Sequence, residues 1–185
     1  VFGKDARVMT GAVNQMLLVD CPECRNDYLR NKVIPLASYS LTPYYFMCAK
    51  APVRSLDEIK GKKIRATGSM GQLVAALGGV PVNITSSEMY EAVQRGQADC
   101  AAGPLPWLKT YTMWEVANSV TFTPIGTYHG TNIANLNYAK WKKLAPKERQ
   151  AFIKYLPSLV RDMAQSYEED DLSFKDEAVA KGVKW

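Results

Sequence analysis

The stretch from Leu56 to Pro104 constrains the fold more than any other part of this chain. Lys63 to Thr67 follows a Gly61 turn and alternates apolar Ile64 and Ala66 against Lys63, Arg65 and Thr67, which predicts a short strand. Gly68 and Ser69 open a helix with Ser69 as N-cap, and Gly78-Gly79 stops it. Val80 to Ile84 reads as a second strand. Ser87 begins another helix with Glu88 in its first turn, where a negative side chain suits the helix dipole, and Gly96 ends it. Strand–helix–strand–helix crossovers of this length build a parallel sheet flanked by helices. Arg65 then stands at the C-terminal end of a strand, where open α/β sheets bind their ligands.

The residues of this stretch carry a resemblance. Lys60-Gly61-Lys62-Lys63-Ile64-Arg65, with Gly68-Ser69, is followed by the ungapped block Ser87, Glu88, Tyr90, Ala92, Gln94, Gly96 and Asp99, and then by Pro104-Leu105. The pattern resembles the solute receptors of TRAP transporters, the dicarboxylate-binding family, from about Asp27 to Trp185. The likeness implies an α/β protein with the two-lobe fold of periplasmic binding proteins (type II) and a long kinked C-terminal helix. It implies capture of a small organic anion in the interlobe cleft and delivery to TRAP membrane permease subunits. The arginine matching Arg65 forms a salt bridge with the ligand carboxylate in that family. Family members are exported and begin with further strand–helix units, so the resemblance makes this chain the C-terminal portion of a periplasmic receptor, its signal peptide removed. Residues 1–42 and 128–167 would belong to the first lobe, and 43–127 with 168–185 to the second.

Two positions depart from the family pattern. Where members carry G-x-E-N-P-L, with an asparagine on the ligand, this chain has Gly103 before Pro104. A second arginine of some members is matched by Tyr45. One cation in place of two points to a monocarboxylate, or to an acid whose other end is neutral. Arg65, Tyr45, Gly103, Trp107 and Asn132 are therefore the candidate ligand residues. For Trp107 and Asn132, core packing and turn formation are the alternative readings. The Arg65 guanidinium suits the role because its planar fork pairs both carboxylate oxygens.

Composition narrows the rival classes. With 185 residues, 47% of them hydrophobic, the chain can bury a core as one domain or two small ones. The net charge of +5 is scattered among 18 acidic residues with no basic run interleaved with aromatics, which argues against nucleic acid as a partner. Positive potential also draws in organic anions. No apolar run is long enough to span a membrane. Neither a G-x-S-x-G elbow, a Walker loop nor G-x-G-x-x-G is present, and one histidine, His129, would have to serve every triad. An enzyme is thus disfavoured, with no cofactor and no metal expected. The receptor of an ATP-driven importer and the effector-binding lobe of a regulator are the alternative functions. Cys21-Pro22-Glu23-Cys24 reads as a surface disulfide or two ordinary thiols, and Cys48 and Cys100 as buried small hydrophobes.

Elsewhere, the pattern predicts helix over Ala6–Leu18, interrupted at Pro22 and resuming over Asp27–Arg30. Strands are expected over Lys32–Ala37, Tyr44–Ala49, Val120–Thr123 and Ile133–Asn137, with a helix over Thr110–Asn118. Ser55 caps a turn of helix at Leu56–Ile59. Pro146 starts a long helix whose stripe of Phe152, Leu156, Leu159, Val160 and Met163 packs inward, with a kink at Pro157.

Overall fold

The computed structural model describes residues 3, 5–121, 123–129 and 131–185, without the side chains of residues 131–133. The chain divides into two units: Pro43–Gly126 with Glu169–Trp185, and Gly3–Thr42 with Thr127–Glu168.

In chain order, the second of these units opens with helix α1 (Ala6–Gln15), capped by the Asp5 carboxylate, which accepts from Val8 N at 2.8 Å. A wider turn at Met16–Asp20 follows, and then helix α2 (Pro22–Arg30). The helical run breaks at Cys21, directly before Pro22, as expected, but Pro22 starts the next helix. It occupies the first turn, where the missing N–H costs nothing, so α2 is longer than expected. Strand β1 (Val33–Tyr39) pairs antiparallel with the later strand at Thr131–Asn137, irregularly around Pro35 and Ala37.

The other unit holds a mixed sheet of five strands. Its strands are β2 (Tyr44–Cys48), β3 (Lys63–Arg65), β4 (Val80–Val82), β5 (Cys100–Pro104) and β6 (Ser119–Val120), in the spatial order β4-β3-β5-β2-β6. The parallel pairs β3/β4 and β3/β5 are those the crossover pattern predicts. Antiparallel β2 and β6 extend the sheet. Between these strands lie α3 (Leu56–Ile59), α4 (Gly68–Ala76), α5 (Met89–Gln94) and α6 (Trp107–Thr110). Ser55 caps α3 as expected, accepting from Glu58 N at 3.3 Å. Ser69 does not cap α4. Gly68, at φ +54, is already the first helical residue, and Thr67 takes the N-cap position. Gly78, at φ +87, turns the chain out of α4 in the left-handed region that glycine adopts without strain. Before α5, Thr85 donates to the Glu88 carboxylate through its backbone N at 3.1 Å and its hydroxyl at 2.6 Å.

The helix expected over Thr110–Asn118 is instead two short turns. The break falls at Thr112, whose φ of +54 no helix interior accommodates. The core of this unit packs Met47, Met89, Val93, Ala101, Leu108, Met113 and Val120, all buried, between the sheet and these helices. Near the C-terminus Lys184 forms a single parallel bridge to Ser119, and Phe122, inside the expected strand Val120–Thr123, lies outside the described residues.

After β7 (Thr131–Asn137) come α7 (Tyr138–Lys143) and α8 (Pro146–Ala180). The last is helical over 35 residues, through Pro157, and contributes to both units. Its apolar stripe packs only in part: Val160 is 6% exposed, but Phe152 and Leu159 are 37% and 46% exposed. The two-stranded sheet of that unit offers little surface to cover them.

Four cysteines form two disulfides. Cys21 bonds to Cys24. Cys48 and Cys100 are buried, as expected, yet they are not separate thiols: antiparallel pairing of β2 with β5 sets them opposite each other, and they are joined.

Candidate functional site

Arg65 is the last residue of β3 and only 4% exposed. Two bonds across the neighbouring strands fix the start of β3. Lys63 N donates to the Asp99 carboxylate at 2.8 Å, and Asp99 N returns a bond to Lys63 O at 2.7 Å. Asp99 thus registers β3 against β5.

From that strand end, the Arg65 Nε donates to Ile84 O at 2.9 Å, and Nη1 stands 3.5 Å from Ala102 O. A guanidinium has five N–H groups. No carboxylate lies within 4.0 Å of it among the described residues. Burial pulls its pKa below the ordinary arginine value, opposed by the nearby phenols of Tyr44 and Tyr111. Arginine titrates so far above neutrality that the side chain still carries its charge. A buried cation held only by carbonyls is costly, and the cost falls when an anion pairs with it.

Trp107 covers one side of this charge. Its ring lies 5.6 Å from the guanidinium carbon, within cation–π range. Tyr44 packs against the indole with centroids 5.6 Å apart, and Tyr111 meets it edge-on at 5.3 Å. The Tyr111 hydroxyl is 3.2 Å from Ser86 Oγ as donor. Gly103 lies beneath the indole: a Cβ there would stand 2.3 Å from the ring carbon Cε3. The absence of a side chain at 103 is what allows Trp107 to lie down on β5.

The structure thus brings Arg65, Gly103 and Trp107 together. It seats the Tyr45 ring elsewhere, edge-on against Trp185 at 6.4 Å, and burial followed by the charge of Asp171 pushes the phenol's pKa up. Tyr44, not Tyr45, is the tyrosine of β2 whose ring meets Trp107. The Asn132 backbone pairs with Ser38 in the other unit, and its side chain lies outside the described residues. Sequence reasoning missed Tyr111 as a member of the group, although four-residue spacing from Trp107 marks one side of a helical turn. His129, in the same unit as Asn132, is held by Ser40 Oγ at 3.0 Å and Thr127 Oγ1 at 2.9 Å. No group of three or more metal-binding side chains occurs among the described residues.

Among curated proteins, the chain is 24% identical over 152 residues to the outer membrane transporter protein TsaT of Comamonas testosteroni, covering 81% of this chain and 45% of that protein. It is 29% identical over 102 residues to the sialic acid-binding periplasmic protein SiaP of Vibrio cholerae, covering 53% and 30%. Among solved structures, a TRAP periplasmic solute binding protein from Xanthobacter autotrophicus with bound β-D-galacturonate superposes with TM-score 0.79 at 19% identity, over 97% of this chain and 59% of that one. Another, from Bordetella bronchiseptica with bound (R)- and (S)-mandelate, gives TM-score 0.81 at 18% identity, over 98% and 58%. The chain therefore has the fold of these receptors and spans less than two thirds of the length of the relatives it matches. The model of the DctP family matches residues 14–185, nearly the whole chain, and the chain belongs to that family, the bacterial extracellular solute-binding proteins of family 7.

Proposed function

We propose that this chain supplies the anion-gripping part of an extracytoplasmic receptor of TRAP type. The receptor captures a small organic acid, pairs its carboxylate with Arg65, and delivers it to membrane permease subunits. One observation carries the reading: a buried guanidinium at a strand end, with carbonyls as partners and no carboxylate within reach among the described residues. Sialic acid, galacturonate and mandelate, named for the relatives above, share a carboxylate and little else.

In this reading the two units are the two lobes, residues 1–42 and 128–167 forming one, 43–127 and 168–185 the other. The site binds and releases its acid unchanged. An oxidising, periplasmic location agrees with two disulfides. Gly103 and Trp107 line the site beside Arg65.

A thermal-shift screen of the full-length protein against small organic acids tests the proposal, because any ligand of the folded state raises the melting temperature. At least one carboxylate is expected to raise it, with its neutral amide analogue inactive. A protein that answers to amides and acids alike, or to neither, contradicts the reading.

A further inference from the structure

We infer that the ligand is an aromatic monocarboxylate, its carboxylate on Arg65 and its ring against Trp107 and Tyr111. The inference rests on the proposed carboxylate capture and narrows it to one chemical class.

The walls of the site set the class. Arg65 brings one positive charge. Lys109, two residues beyond Trp107, is already engaged by Glu177 at 3.0 Å and stands over the Phe174 ring. Among these described residues Arg65 is thus the charge offered to a carboxylate, and a second carboxylate left unpaired here would be dehydrated without compensation. The surface beside the charge is aromatic: Trp107 and Tyr111 are both half-exposed, edge to face, so each ring keeps area for a third ring. Aromatic rings favour offset or edge-to-face neighbours, and a planar aromatic ligand can offer either. The carbonyl of Ile84 beside the charge already accepts from Arg65. A benzene ring leaves no polar group to be desolvated against the indole.

Gly103 is the specificity device. Any side chain at this position would collide with the indole and drive Trp107 off the strand. An amide there would supply hydrogen bonds to a polar acid, while its absence yields the site to the ring. The pair of Gly103 and Trp107 exchanges polar recognition for stacking.

Titration calorimetry of the full-length protein with phenylacetate, benzoate, malonate and glucuronate tests this directly. Phenylacetate or benzoate is expected to bind at least tenfold more tightly than either malonate or glucuronate. Trp107→Leu is expected to weaken the aromatic acid about tenfold, which is about 1.4 kcal/mol. The same variant leaves the weaker acids within about threefold, since they make no use of the ring. Tighter binding of malonate or glucuronate overturns the aromatic assignment while carboxylate capture stands. Equal losses for all four acids in Trp107→Leu likewise overturn it, because the indole would then only support Arg65. Failure of every carboxylate to bind overturns the assignment together with the receptor reading.

Discussion

Gly103 and Trp107 exclude each other's alternatives: a Cβ on residue 103 would stand 2.3 Å from the indole, closer than any real carbon contact. The smallest residue of β5 and the largest residue of the following turn thus form one unit. Gly103→Ala forces the ring to shift, and Gly103→Asn displaces it from the strand. Both variants are expected to fold, because the indole is half-exposed and can move outward. The emission of Trp107, isolated by comparison with Trp107→Leu, is expected to move to longer wavelength in Gly103→Asn, and affinity for the preferred acid to fall at least tenfold. Unchanged emission and affinity would mean that the close approach has no consequence.

The two disulfides differ in what they hold. Cys48–Cys100 spans 52 positions and joins two central strands, while Cys21–Cys24 spans 3. By loop-closure entropy, loss of the first costs about 4 kcal/mol and loss of the second about 2 kcal/mol or less. Denaturant midpoints of Cys48→Ala/Cys100→Ala and Cys21→Ala/Cys24→Ala measure the difference. Under mild reductant, thiol labelling is expected first at the half-buried Cys21 and Cys24. Equal midpoint shifts would show that the strand staple adds nothing to β2–β5 pairing.

Acid should loosen the start of α5. Two bonds from Thr85 hold the Glu88 carboxyl below its ordinary pKa. A carboxylate with a depressed folded-state pKa contributes stability that is present above the unfolded value, about 4.3, and is lost as pH falls through the folded value. Melting temperatures of the parent and of Glu88→Gln, followed from pH 6 to pH 3, are expected to converge as pH falls. Parallel curves would remove the cap from the account.

The strand register rests on Asp99. Replacing it by Ala leaves Lys63 N without its side-chain acceptor and is expected to cost about 1 to 2 kcal/mol. Asp99→Asn is expected to recover part of this, since an amide oxygen can still accept. The urea midpoint reads both.

Much of the β3–β5 region was legible because its signals are local. Alternation marks β3 and Gly78 and Gly96 stop the helices, so the strand-end place of Arg65 follows from the sequence. The misreadings lie where distant residues decide. Cys48 and Cys100 look like separate hydrophobes until the register of β2 against β5 sets them opposite each other. Thr112 carries no local mark of the positive φ that splits the helix expected over Thr110–Asn118. Ser69 is a good N-cap by type, yet Gly68 at φ +54 lets the chain enter α4 two residues earlier than such a cap allows. The choice between Tyr44 and Tyr45 depends on where Trp107 and Trp185 sit, and no pattern within β2 contains that.

Arg65→Met tests the central claim most directly, by calorimetric affinity for the best acid and by the melting temperature of the ligand-free protein. Methionine keeps much of the side chain's length and removes the charge. If Arg65 exists to pair a ligand carboxylate, affinity falls about a hundredfold or more, as expected for losing a charge-assisted, two-pronged bond worth about 3 kcal/mol. The ligand-free protein then melts no lower than the parent, since the variant has shed a buried, unpaired cation. Affinity held within twofold, with a large drop in ligand-free stability, would make Arg65 a structural residue and contradict the account.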